Sequence, residues 1–176
     1  MHMQSIYLAG GCFWCIEAIF LKLKGIQNII PGYIGGASKS PSYEEICKGM
    51  SGHAEAIKCD FDDKIVPLEL ILEIFFLAHD PTQKNRQGND IGTQYRSAIF
   101  YKNVDQKKIA QNAINKAEKI YQDKIQTELS DKLNFYEAEK YHHNYFSKNP
   151  GSIYCNALIP PKLKKLKTKY PNIFKS

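Results

Sequence analysis

The sequence has no apolar run approaching the ~20 residues that a bilayer-crossing helix needs, so no membrane span is expected. The opening residues, Met1-His2-Met3-Gln4, lack the basic stretch and apolar core of an export signal. The five cysteines are therefore expected to be thiols in a reducing cytoplasm, and their odd number argues against a framework of paired bridges. No second cysteine pair at short spacing accompanies Cys12 and Cys15, and Cys47 and Cys59 fit no ligand pattern with His142-His143, which speaks against a metal site. Repeats, low-complexity tracts and Ser/Gly linkers are missing too. Residues 1–176 are accordingly read as one domain, long enough to bury a core without disulfide or metal staples.

Aromatic residues that stack on bases are missing from the one strongly basic stretch. The formal net charge of +6 is concentrated near the C-terminus, at Lys162, Lys164, Lys165, Lys167 and Lys169. This pattern reads as a solvated helix face rather than a nucleic-acid surface, with attraction to an acidic partner left open.

What is present is ordinary for a folded domain: 43% apolar and 24% charged residues. Ser5 to Ala9 reads as a strand leading into Gly10-Gly11. Ile16, Ile19, Phe20 and Leu23 follow helical spacing, with Gly25 as a stop. Ile26 to Tyr33 is strand-like. His53 to Phe61 alternates, with Glu55, Ile57, Cys59 and Phe61 on one face. Leu68, Ile71, Leu72, Phe75 and Phe76 mark an amphipathic helix opening near Pro67. The stretch from His79 to Gln94, rich in Gly, Asn, Asp and Gln, is expected to be a loop, either functional or disordered. Ser97 to Tyr101 resumes a strand, and Ile109 to Tyr121 lies in a long helix. Further strands are expected at Ile125 to Leu129 and Leu133 to Tyr136, then a helix around Glu139 to Phe146. After Asn149-Pro150-Gly151, residues 148–176 are expected to form an irregular tail ending in a Lys-rich helix. Strands alternating with helices, some strands being adjacent, indicate a two-layer α+β sandwich with a mixed sheet.

A cysteine that opens a helix after two glycines is chemically informative. Helix N-termini carry free N–H groups and partial positive charge, so the Cys12 thiol is expected to be lowered from its usual value and reactive as a thiolate. Phe13 and Trp14, the only tryptophan, follow at once. Alternatively Cys12 is a small buried residue and the two aromatics are core. The spacing from Cys12 to Cys15 also fits a dithiol redox site.

Glu55 shares its strand face with apolar residues. If buried, its carboxyl is raised above the usual ~4.3 and keeps a proton near neutrality, as a general acid requires. The competing reading is a strand-end Glu that reaches solvent past Gly52-His53. Tyr43, Tyr95 and Asp90 lie in loop-like segments, and tyrosine hydroxyls donate to polar oxygens. With eleven tyrosines in the chain, any one of them is more often structural, and Arg96 near Asp90 reads as a local ion pair.

As a set, these residues resemble the A-type peptide methionine sulfoxide reductases. The resemblance rests on Gly11-Cys12-Phe13-Trp14, the Tyr43 segment, Gly52-His53-Ala54-Glu55-Ala56 and His79-Asp80-Pro81-Thr82-Gln83. It continues through Asp90 to Ser97, Glu139-Lys140-Tyr141-His142-His143, Asn149-Pro150 and Tyr154-Cys155. The resemblance implies an open α+β sandwich related to ferredoxin-like folds, with no metal or organic cofactor. It implies reduction of the S epimer of methionine sulfoxide, free or in peptides and oxidised proteins, with thioredoxin or dithiothreitol as external reductant. By the same resemblance Cys12 attacks, Phe13 and Trp14 hold the substrate methyl, and Glu55 protonates the sulfoxide oxygen. Tyr43 and Tyr95 hydrogen-bond that oxygen, and Asp90 belongs to a polar rim.

A sulfenic acid left on Cys12 needs a second thiol to form a disulfide. Some relatives carry a Gly-rich tail with recycling cysteines, but here the tail is short and Lys-rich. Cys155 is the favoured resolving thiol because a mobile tail can approach Cys12. Cys15, where many relatives have glycine, is the alternative, constrained by disulfide geometry. Cys47 and Cys59 are read as structural. The protein is expected to be a monomer, with no nucleic-acid or membrane partner. Two rivals stand beside the reductase: a general dithiol–disulfide oxidoreductase using Cys12 and Cys15, and a non-catalytic module that recognises Met-rich or oxidised surfaces through Phe13 and Trp14.

Overall fold

Alternation of apolar side chains makes the first strand, β1 (Met3–Ala9), which buries Ile6 and Leu8 on the side of the main core. The computed structural model describes residues 2–175; Met1 and Ser176, the ends of the expected domain, lie outside the described residues. In chain order there follow α1 (Phe13–Phe20), β2 (Ile26–Ile34), α2 (Tyr43–Cys47), β3 (Ala54–Asp62) and α3 (Leu68–Ala78). A small hairpin, β4 (Arg86–Gln87) with β5 (Asp90–Ile91), and a 3-10 turn at Thr93–Tyr95 organise the long loop. Then come β6 (Ala98–Phe100), α4 (Val104–Tyr121), β7 (Glu128–Ser130) and β8 (Tyr136–Glu137). A second 3-10 turn at Lys140–His142, α5 (Tyr145–Lys148) and α6 (Ile153–Lys169) complete the chain.

Six strands form one sheet in the order β7-β6-β1-β3-β2-β8. β6 and β7 are parallel and every other neighbouring pair is antiparallel, so the sheet is mixed. One face carries Ile6, Leu8, Ile57, Cys59 and Phe61 against helical side chains such as Phe20, Ile71, Phe75, Ala110 and Ile159. The opposite face holds a thin cluster of Ala9, Ile34, Ala54, Ala56, Ala98 and Phe100 under Tyr7 and Phe135, without a helical member. This is the two-layer α+β sandwich expected from the alternation of elements, and it is open, as the family resemblance implied.

Three local expectations need correction. The helix foreseen around Glu139 to Phe146 is split, with Asn144 in the left-handed region at φ 53. The cause is Glu17, buried on α1, whose carboxylate accepts the N–H groups of Asn144 (2.9 Å) and Tyr145 (3.3 Å) and so takes over donors that a continuous helix uses internally. The strand foreseen at Ile125 to Leu129 is confined to β7, because the Gln126 N–H instead bonds the Pro81 carbonyl at 2.8 Å. The irregular tail is mostly helix: α6 runs through Pro160 and Pro161. Each proline removes a helical donor. Burial of Cys155, Ile159, Leu163 and Leu166 along one side holds the helix against the core all the same.

Candidate active site

Gly11 is required where the chain turns from β1 into α1. Its φ is +87, and a Cβ there would lie 2.7 Å from Cγ of Gln87. The turn delivers Cys12 to the N-cap of α1 in an extended conformation, φ -62 and ψ 127. Only 9% of Cys12 is exposed, and Cys15 is buried one helical turn on. The Cys15 N–H donates to the Cys12 carbonyl at 3.1 Å, and the two thiols are within hydrogen-bonding reach.

The Cys12 thiol is not lowered by its place at the helix start, contrary to expectation. Burial pushes the Cys12 thiol well up, and the hydrogen bond to Cys15 and the charges of Glu55 and Cys15 push the same way. The Trp14 N–H at the helix start favours the thiolate but is outweighed. Cys15 is lowered instead, chiefly because Cys12 donates to its sulfur; burial opposes this, and the Lys162 ammonium assists. Of the two thiols, ionisation is thus favoured on Cys15 over Cys12. Lys162, half-buried on α6, is an exception to the expected solvated lysine face.

Glu55 is 2% exposed, which excludes the strand-end reading in which it reaches solvent. Its strand face is the main-core face, as the alternation predicted, and its Oε1 accepts the Phe13 N–H at 3.2 Å. Burial pushes its carboxyl up to about 8, although the Phe13 hydrogen bond pulls it down. At neutral pH it is a protonated acid beside the first turn of α1.

Tyr43 opens α2 and Tyr95 closes the Thr93–Tyr95 turn. Burial raises both hydroxyls, and the charge of Glu55 adds to each, so they remain O–H donors. Asp90 on β5 accepts a hydrogen bond from the Tyr154 hydroxyl. Arg96 is not its partner. Its Nε bonds Glu128 at 3.1 Å, and its other nitrogens bond the carbonyls of Thr93 (2.9 Å) and Gly52 (3.0 Å).

Phe13 is buried against Tyr33 and His142, with ring centroids 5.7 and 5.0 Å away. Trp14 lies flat on Tyr145 at 3.7 Å and 6°, meets Tyr154 edge-on, and donates its Nε1–H to His142 Nδ1 at 3.0 Å. With Nδ1 accepting, the other ring nitrogen of His142 carries the hydrogen.

Sequence reasoning missed Glu17, Glu139, His142, Tyr145, Tyr154 and Lys162 as supports of the site. One signal was available: Glu17 sits among Phe13, Ile16 and Phe20 on a helix buried almost all round, where an acid needs a partner. The others are recruited from distant segments. Cys155 lies fully buried in the first turn of α6, so the mobile tail assumed for it is not there. Its thiol is raised by burial and feels the charge of Cys15. Cys59 faces the core as expected, whereas Cys47 ends α2 exposed. Among the described residues, no group of three His, Cys, Asp or Glu is placed to hold a metal ion, and no helix is long and apolar enough to cross a membrane.

The family model described as "Peptide methionine sulfoxide reductase" matches residues 4–173. The peptide methionine sulfoxide reductase MsrA of Psychrobacter cryohalolentis is 50% identical over 168 residues, covering 96% of each chain. Among solved structures, reduced Mxr1 from Saccharomyces cerevisiae superposes with a TM-score of 0.83 at 34% identity, over 88% of this chain and 90% of that one. Mxr1 in complex with Trx2 shares the fold, with a TM-score of 0.60 at 24% identity over 82% and 85% of the two chains. Matched along nearly its whole length in sequence and in fold, the chain belongs to the peptide methionine sulfoxide reductase family.

Proposed function

We propose that this reductase acts on the S epimer of methionine sulfoxide, free or within peptides and oxidised proteins, with Cys12 as nucleophile and Glu55 as acid. One observation carries the reading: a thiol and a protonated carboxyl are buried together at the start of α1, beside two tyrosine donors and an aromatic wall. Phe13 and Trp14 take the substrate methyl, Tyr43 and Tyr95 bind the sulfoxide oxygen, and Asp90 lies on the rim. Sulfoxide oxygen leaves sulfur only when protonated. With Cys15 ionised in the reacting state, its thiolate takes the Cys12 proton as Cys12 sulfur attacks, while Glu55 protonates the oxygen. The oxygen ends on Cys12 as a sulfenic acid and methionine departs. The negative charge that began on Cys15 ends on Glu55, so charge and protons balance.

Cys15 is the first resolving thiol in this proposal. It attacks the Cys12 sulfenic acid, releasing water and forming a Cys12–Cys15 disulfide. Support comes from its place at the third position of α1, over which an N-cap side chain lies, and from its lowered thiol. Cys155, favoured on the sequence, remains the alternative and needs movement of the α6 first turn. Disulfide mapping after one equivalent of methionine sulfoxide separates them: a Cys12–Cys155 bond dominating in wild type would overturn the choice of Cys15.

Residues 1–176 act as one catalytic domain, a monomer of the cytoplasm with no metal or organic cofactor and no nucleic-acid or membrane partner. Thioredoxin reduces the disulfide by dithiol exchange, as dithiothreitol does in vitro. In this family Mxr1 has been solved with Trx2. The test is turnover with dithiothreitol: loss of the S epimer, sparing of the R epimer, and no insulin disulfide reduction. Insulin reduction without sulfoxide turnover would favour the general oxidoreductase instead.

A further inference from the structure

The geometry points to Glu139 as a positioning residue for the reaction: its carboxylate holds Tyr43 where that hydroxyl meets the sulfoxide oxygen. The inference rests on the assignment of Tyr43 proposed above.

α2 is only five residues long, and Ile46 is its one fully buried side chain. A helix that short has little intrinsic stability, so its position depends on what grips its ends. The C-terminal end is tied to the turn that carries Tyr95. Thr93 Oγ1 donates to the Gly49 carbonyl at 3.1 Å, and the Gln94 amide reaches the Cys47 carbonyl at 3.5 Å. At the N-terminal end Ser42 caps the Glu45 N–H, leaving the Tyr43 N–H, an orphan donor of the first turn, to another partner. That partner is Glu139, whose Oε2 accepts it at 3.0 Å.

The second carboxylate oxygen accepts the Tyr33 hydroxyl at 2.8 Å. Tyr33 is fully buried on β2 and packs against Phe13. One carboxylate thus references α2 to a rigid strand behind the substrate wall, and fixes the distance between that wall and the Tyr43 hydroxyl. His142, on the turn that Glu139 opens, presses on the Tyr43 ring with centroids 4.5 Å apart. Burial raises the Glu139 carboxyl, but the hydrogen bonds from its own backbone, Tyr43 and Tyr33 outweigh this and keep it below the usual range. It stays an acceptor for both donors throughout the working pH range.

A double-mutant cycle tests the assignment. Glu139→Ala should lower kcat/KM on the order of tenfold, the worth of about one well-placed hydrogen bond in the transition state, mostly in kcat. In a Tyr43→Phe background the same change should cost less than about twofold, because the hydroxyl it positions is already gone. Glu139→Gln should retain activity within about threefold, since its amide oxygen can accept from Tyr43 while its NH2 donates to a rotated Tyr33 hydroxyl. Should Glu139→Ala not fold, Tyr33→Phe, which frees only the rear anchor, replaces it in the same cycle. Equal losses in both backgrounds would mean that Glu139 acts on stability alone and would overturn the inference, leaving Tyr43 in place. Tyr43→Phe without effect would sink the Tyr43 assignment first and this one with it.

Discussion

Replacing Glu55 by Gln keeps an oxygen to accept the Phe13 N–H and removes only the titrating proton. The folded-state value of about 8 lies above the ordinary 4.5, so folding disfavours ionisation of this group. The cost is absent below pH 4.5, grows as pH rises toward 8, and is constant above that. From these two values it amounts to about 1 kcal/mol at pH 5 and about 5 kcal/mol at pH 9. Glu55→Gln escapes it, so the variant should gain about 4 kcal/mol on wild type between these two pH values. For a chain of this length that is roughly 10 °C in Tm. Chemical denaturation of both proteins at pH 5, 7 and 9 is the assay, and the difference between them cancels groups common to both. The same variant should lose nearly all sulfoxide turnover, because an amide cannot deliver the proton, while wild-type activity should fall above about pH 8. Parallel stability curves for the two proteins would refute the claim that the carboxyl is held protonated.

His142→Leu removes the acceptor for the Trp14 indole and should raise KM severalfold, whereas His142→Asn, which keeps an oxygen near the Nδ1 position, should restore it. The emission of Trp14, the sole tryptophan, reports the same loss and rescue directly. Gly11→Ala should cost at least about 1–2 kcal/mol from its left-handed backbone alone, and the contact with Gln87 should also displace Cys12, measurable as lost turnover in a folded protein. Lys162→Met removes a positive charge that favours the Cys15 thiolate, so the midpoint of the Cys15 alkylation rate in a Cys12→Ser, Cys155→Ser background should move to higher pH. An unchanged midpoint would exclude Lys162 from tuning this thiol.

Read by itself, the sequence determined the layers and the chemistry. Period-2 alternation put Glu55 on the face of Ile57, Cys59 and Phe61, and the structure keeps it there at 2% exposure. Glycines before Cys12 marked the turn, and helical spacing marked α1, α3 and α4. These are local signals, set by backbone sterics and by the repeat of side chains along one element. Tertiary structure alone decided the electrostatics and the grip on the site. Which of Cys12 and Cys15 ionises more readily depends on the hydrogen bond between them, on how deeply α1 is buried and on Lys162 from α6, none of which is visible from a position at a helix start. Whether Cys155 sits on a free tail or a helix depends on the burial of Ile159, Leu163 and Leu166, which overrides two prolines. Trp14 and Tyr43 are held by His142 and Glu139, about a hundred or more positions away along the chain. No propensity encodes such a pairing; it exists only once the sheet has brought the segments together.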